Sequence, residues 1–144
     1  MREIKFRGKE EYSGEWVYGY YCRGGWIDPV NGVETPRHII HAEYLFDIDP
    51  DTLGQYTGLR DKNGKEIYEG DIVECVSWNE YFSKDGQPME VFRRKMHISF
   101  LNGRFVMVEP MPEPMEDNVW DIIYNGDIEV IGNICDNPEL LEKE

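Results

Sequence analysis

A mainly β fold, an antiparallel barrel or sandwich of short strands, is what this 144-residue chain predicts. Three observations carry that expectation. Apolar residues recur with a period of two in most segments. Turn residues interrupt the chain roughly every 8–12 residues, the spacing of hairpin-connected strands. Aromatic residues reach 13% and crowd the same segments.

Each element has its own local reason. Ile4 and Phe6 alternate with Lys5 and Arg7, which predicts a half-buried edge strand. Gly14 opens an aromatic run from Glu15 to Cys22, and Gly24-Gly25 reads as the turn that ends it. Trp26-Ile27 then leads into Asp28–Gly32, where Pro29 and Asn31-Gly32 mark a loop or hairpin tip. A short strand is expected over Arg37–Ile40, a turn at Asp49–Asp51, and a further segment from Thr52 to Leu59. Asn63-Gly64 predicts a type I′ hairpin turn between Asp61 and Lys65. Lys65–Tyr68 and Ile72–Trp78 read as strands, and Phe92–Phe100 with Gly103–Val108 as a hairpin turning at Leu101–Gly103. The prolines in residues 109–117 remove backbone donors, so that segment is expected to be an exposed loop. Val119–Tyr124 and Ile128–Ile134 complete the strands. Only the C-terminus looks helical, with Asn137 as cap and Pro138 in the first position.

One hexapeptide is echoed. Ile67–Ile72 and Ile123–Ile128 both read strand, x-Gly-Asp, strand. Gly70 and Gly126 would then permit tight turns, while Asp71 and Asp127 bond the turns' own amides.

Composition excludes several classes. No apolar run approaches the roughly 20 residues of a membrane span, and Met1–Lys5 lacks the apolar core of a secretory signal. Three cysteines without a C-x-x-C pair suggest reduced thiols and a cytoplasmic protein. The net charge is −14, with −9 in residues 100–144. Two small basic clusters, Arg2/Lys5/Arg7/Lys9 and Arg93-Arg94-Lys95, stand against that field, and each is read as split between two strand faces. Binding to duplex DNA, which draws its affinity from phosphate neutralisation, is therefore not expected.

Catalytic constellations are scarce. Glu69, Asp71 and Glu74 could gather a cation, but a strand sends Asp71 and Glu74 to opposite faces. The same argument separates His38 from His41, leaving no metal cluster. Cys75 lies in a core-like strand with no base beside it, and reads as packing. No catalytic residue, cofactor site or metal site is assigned. The aromatics are the remaining candidates: Trp16, Tyr18, Trp26, Tyr56, Tyr68 and Trp78 suit either core packing and subunit contacts or a binding surface.

Beyond these readings, Arg2–Gly8, Gly14–Tyr20, Asp49–Leu59, Asp61–Val73, Val130–Ile134 and Asn137–Leu141 resemble the motifs of the YopX family, in the family's order. The most specific block is the 26 residues from Asp49 to Glu74, whereas residues 79–118 match no motif. The resemblance implies a bacteriophage or prophage protein with an SH3-like β-barrel at its core. On that basis residues 1–58 are expected as an N-terminal β region packed on a barrel of residues 59–144, with a variable insertion near 79–118 and a short C-terminal helix. The expected function is that of a non-enzymatic accessory protein binding a protein partner, with a second copy of itself among the candidates. Nucleic-acid binding through the aromatics and basic clusters, and metal-dependent hydrolase or nuclease activity, stay open as alternatives.

Overall fold

The computed structural model describes residues 3–79, 83–110, 119–122 and 126–142. Among them are eleven strands: β1 (Phe6–Lys9), β2 (Trp16–Ile27), β3 (Glu34–His41), β4 (Leu45–Asp47), β5 (Gly54–Arg60), β6 (Glu66–Tyr68), β7 (Asp71–Asn79), β8 (Met89–Leu101), β9 (Arg104–Val108), β10 (Val119–Asp121) and β11 (Gly126–Asn133). They form two antiparallel sheets, ordered β4-β3-β2-β1-β5-β6 and β10-β9-β8-β7-β11. Both orders run from one edge strand to another, so the expected closed barrel does not form among the described residues. The chain divides into two compact units, residues 1–58 and 59–144.

In the first unit, β1 lies between β2 and β5, with Phe6 opposite Gly19 and Arg7 opposite Gly54. Phe6 and Gly8 point to the core side, where Ile40 and Ile48 are buried and the Phe6 and Tyr21 rings meet at 5.6 Å. Gly8 is required by space: a Cβ there would come within 2.5 Å of Ile48 Cδ1. Gly19 is required more strictly, because its Cβ would run into the His41 carbonyl. The sequence reading that ended β2 at Gly24-Gly25 is corrected here. Both glycines sit inside the strand, opposite Arg37 and Pro36, and the one turn of the hairpin is at Asp28–Val33, where a loop or hairpin tip was expected. Asp49 caps a single 3-10 turn over Pro50–Thr52 by accepting from the Asp51 N–H.

The second unit is organised by one apolar cluster: Ile67, Val73, Cys75, Met96, Ile98, Met107, Ile122, Ile128 and Val130. One face of β7 and β8 supplies it, with Val73 opposite Met96 and Cys75 opposite Arg94, while Ile72 and Val76 are buried on the other face of β7. Bulges interrupt β7 against β8 at Ser77/Trp78 and β11 against β7 at Val130/Gly132, and bulges bend the strands that carry them.

Local turn chemistry differs from expectation in three places. Asn63 does not take a positive φ, so the Asp61–Lys65 turn is not type I′; Gly64 alone is left-handed, at φ 82°. The type I′ signature belongs to the β8–β9 hairpin, where Asn102 (φ 51°) and Gly103 (φ 80°) are both left-handed. At the C-terminus, Pro138–Leu141 makes only a 3-10 turn, and Asn137 makes no capping bond with its side chain. Its Oδ1 instead accepts from the Asn133 N–H at 3.3 Å, and so few residues cannot sustain an α-helix. The echoed corners also diverge. Gly70 has φ 88° and Asp71 accepts the Tyr68 N–H at 2.7 Å, as a turn residue should. Gly126 pairs with Ser77 in β11, and exposed Asp127 bonds Trp78. The Pro-rich segment from 111 to 118 and the strand end at 123–124 lie outside the described residues.

Candidate functional site

Of the first basic cluster, Arg2 lies outside the described residues, and Lys5, Arg7 and Lys9 share one side of the chain through β1. A period of two places residues 5, 7 and 9 on the same side, which corrects the reading that split them. Cross-strand register puts Trp16 opposite Lys9 and Tyr18 opposite Arg7 on that side. The Arg7 guanidinium lies 4.6 Å from the centre of the Trp16 ring and Lys9 Nζ 5.4 Å from it, while Lys5 Nζ sits 5.6 Å from the centre of Tyr56. Arg7 is only 6% exposed. Stacking of this kind stabilises by about 0.5–2 kcal/mol per pair and turns the cations towards the protein rather than towards phosphate.

The second cluster is divided between faces, as its consecutive positions require. Arg94 lies over the rings of Phe92 (5.0 Å) and Trp120 (5.4 Å) and donates to Glu109 at 3.1 Å. Arg93 donates to Glu90 at 3.0 Å and to Glu74 at 2.5 Å, and these bonds raise its pKa further above the already high arginine value. Between this part of β8 and the C-terminal turn lies an open cleft of about 800 Å³. Glu74, Glu109, Glu139 and Glu142 line it alongside the three basic residues. Four carboxylates outnumber three cations in the cleft, so an anion gains no net attraction there.

The six aromatic candidates do not make one surface. Trp16, Tyr18 and Tyr56 belong to the cation-stacked face, with Tyr56 buried. Tyr68 is buried, and its hydroxyl donates to Glu66 at 3.5 Å. Trp78, half-exposed on β7, donates its indole N–H to Asp127 at 2.8 Å. Trp26 is 52% exposed on the outer half of β2.

That outer half of the β2–β3 hairpin is the feature that sequence reasoning missed. From Cys22 to Ile27 and from Glu34 to Arg37, every residue is exposed, on both faces of the ribbon. Trp26, Ile27, Val30 and Val33 bring apolar surface to its end, with Val30 92% exposed. The ribbon is anchored at its base, where Tyr21 Oη and His38 Nδ1 share a 2.6 Å hydrogen bond and Arg37 forks onto Asp47 through two 2.8 Å bonds. The guanidinium hydrogen bond holds Asp47 below the usual carboxylate range, against the opposing effect of burial. Apolar residues packed around an Asp-Pro and an Asn-Gly pair were the available signal. They were read as marking a loop or hairpin tip, without the exposed strands on either side of it.

Titratable groups elsewhere are structural. Asp61 is buried and holds the β5–β6 turn: Oδ1 accepts the N–H groups of Asn63 and Lys65 at 2.9 Å, and Oδ2 accepts that of Val130 at 2.9 Å. Burial raises its pKa, but those three backbone donors and Lys65 outweigh burial and hold it below the usual range. Burial pushes the Cys75 thiol up, and Asp127 adds to the effect. Burial lowers His97, whose Nδ1 has no hydrogen-bond partner among the described residues. Among the described residues, no group of three or more His, Cys, Asp or Glu side chains converges as a metal site would require. Among them, too, no helix is long and apolar enough to cross a membrane.

The YopX protein family model matches residues 5–142. The chain belongs to the YopX family. Two solved structures are similar over essentially their whole length. Protein EF1440 from Enterococcus faecalis shares 27% identity, with a TM-score of 0.52 over 99% of this chain and 100% of that one. YopX from Bacillus subtilis shares 21% identity, with a TM-score of 0.52 over 100% and 99%. At that identity the second shows likeness of fold alone. No curated protein matches the chain.

Proposed function

We propose that this YopX-family chain is a non-enzymatic phage or prophage accessory protein, working in the bacterial cytoplasm by binding other macromolecules, proteins first among them. The carrying observation is the β2–β3 arm, whose tryptophan, isoleucine and valines are exposed on a two-stranded ribbon. An isolated hairpin is marginal in water, and clustered exposed apolar side chains mark an interaction surface. In this reading residues 59–144 serve as the scaffold, an SH3-like module left open at its edges and bent by its two bulges, with 79–118 as its variable insertion.

The test is affinity capture from infected host cells with the wild-type chain and with Trp26→Ser/Val30→Ser. Proteins that co-purify with the wild type and are lost from the double variant support the reading. Capture that ignores the substitutions would sink it. So would nucleic acid as the retained species, because micromolar binding to labelled DNA at about 150 mM salt is not expected of this chain.

A further inference from the structure

The two edges of the β2–β3 arm are unlike. β1 covers β2 only as far as Gly19, and among the described residues no strand pairs with that side of β2 from Tyr20 to Ile27. Those residues include neither proline nor lysine, and Arg23 is their one charge. Sheets ordinarily guard a long edge with proline, lysine or a bulge. The β3 edge of the same arm is guarded: Pro36 has no N–H to offer, and Arg37 is tied to Asp47. Only the β2 edge is left ready to accept another strand.

Charge selects the occupant. Two chains of net charge −14 repel wherever their acidic surfaces approach. Between Tyr20 and Arg37, however, Arg23 and Arg37 balance Asp28 and Glu34, so the arm is neutral. A basic partner would be drawn to the acidic surface elsewhere; a neutral apolar edge is best met by another of its own kind. Two-fold antiparallel pairing puts same-face residues opposite each other, which centres the dyad on a residue. Centring it on Arg23 would oppose two guanidinium groups directly, a destabilising pair. Centring it on Gly25 would run Cys22 against Asp28 of the tip. Centred on Gly24, Cys22 meets the second copy's Trp26, Tyr21 meets its Ile27, and Arg23 meets its Gly25. Two adjacent glycines at the crossing let the backbones approach closely.

We infer that the protein forms a two-fold dimer by antiparallel pairing of the Tyr21–Ile27 edges about Gly24. This rests on reading the arm as a contact surface and names its partner as a second copy of the chain. The experiment is sedimentation equilibrium on the purified protein, with circular dichroism to confirm that each variant keeps its β structure. Wild type is expected at twice the chain mass. Cys22→Glu and Trp26→Lys each reduce it to one chain, and the two together restore the dimer, because the new charges face one another across the dyad. Gly24→Cys in a Cys22→Ser/Cys135→Ser background forms a disulfide-linked dimer on oxidation. A wild-type monomer at about 0.5 mM, where even a weak dimer is populated, overturns the inference. A dimer that resists both single charge variants also overturns it. A monomeric wild type that still captures host protein through Trp26 overturns the dimer while leaving the proposed function standing. A dimer that captures nothing supports the dimer and sinks the proposed function.

Discussion

The two units reach order by opposite means. In residues 59–144 an apolar cluster of nine side chains sits under turns pinned by buried carboxylates, Asp61 and Asp71. In residues 1–58 fewer side chains are buried, and backbones approach closely because Gly8 and Gly19 have no side chain to obstruct them. The first unit also extends a ribbon with no core of its own. Polar satisfaction fixes one unit and steric absence fixes the other. They should therefore fail differently.

Asp61→Ala strikes the pinned unit hardest. It leaves three backbone N–H groups without their acceptor and is expected to cost about 3 kcal/mol, seen as a lower urea midpoint. If the midpoint holds, the carboxylate is decorative and the contrast between the units collapses. Gly8→Val tests the other mechanism. The added carbons press on Ile48, which is fully buried, and overpacking of this kind costs roughly 1–3 kcal/mol. Amide hydrogen exchange should show the loss of protection concentrated in β1, β2 and β3. Uniform loss along the whole chain would show that the units do not fail separately.

Acid sharpens the comparison. Burial lowers His97, so the unfolded chain binds its proton more readily than the folded one. Its contribution to stability is whole above the unfolded value near pH 6.5 and is lost as pH falls through the folded value. The slope in that window is at most about 1.4 kcal/mol per pH unit and should flatten in His97→Leu. Asp61 has the same sign of dependence, but its contribution disappears only below the ordinary carboxylate range, near pH 4 and under. A stability curve that stays level from pH 7 to 5 in the wild type would remove His97 from this account. The smallest effect is expected on the arm. Trp26→Ser should change monomer stability by no more than about 0.5 kcal/mol, since the side chain is half exposed. A large loss would mean that the ribbon packs against its own chain.

How far the sequence reveals this molecule follows the same division. The strands of residues 65–78 and 104–108 were legible because β-branched and apolar residues run nearly unbroken between turn signals, as suits strands buried on both faces. So was the structural role of Asp71. Gly24-Gly25 misled because glycine in a strand that nothing covers looks identical, in one dimension, to glycine in a turn. The aromatic candidates could not be sorted into core and surface for a related reason. Trp26 and Tyr68 are alike in composition, and only the third dimension makes one a surface residue and the other core. Asn63-Gly64 was located correctly but given the wrong geometry, because the Asp61 carboxylate accepts from Asn63 and Lys65 N–H and holds a turn in which only Gly64 is left-handed. Strand spacing allowed a barrel or a sandwich and the family resemblance favoured a barrel, but the strand orders leave it open among the described residues.

The Asp61 carboxylate also carries a lesson about time. Two of its bonds are local, but the third reaches Val130, 69 residues further along. A ribosome makes the turn long before it makes the strand that completes it. Until Val130 emerges, one carboxylate oxygen has only water to bond, and the most recognisable stretch of the chain stays provisional. Contacts that span so much sequence form slowly, because a long loop must close first. The order of synthesis thus gives the last word on the β5–β6 corner to a strand translated long after it.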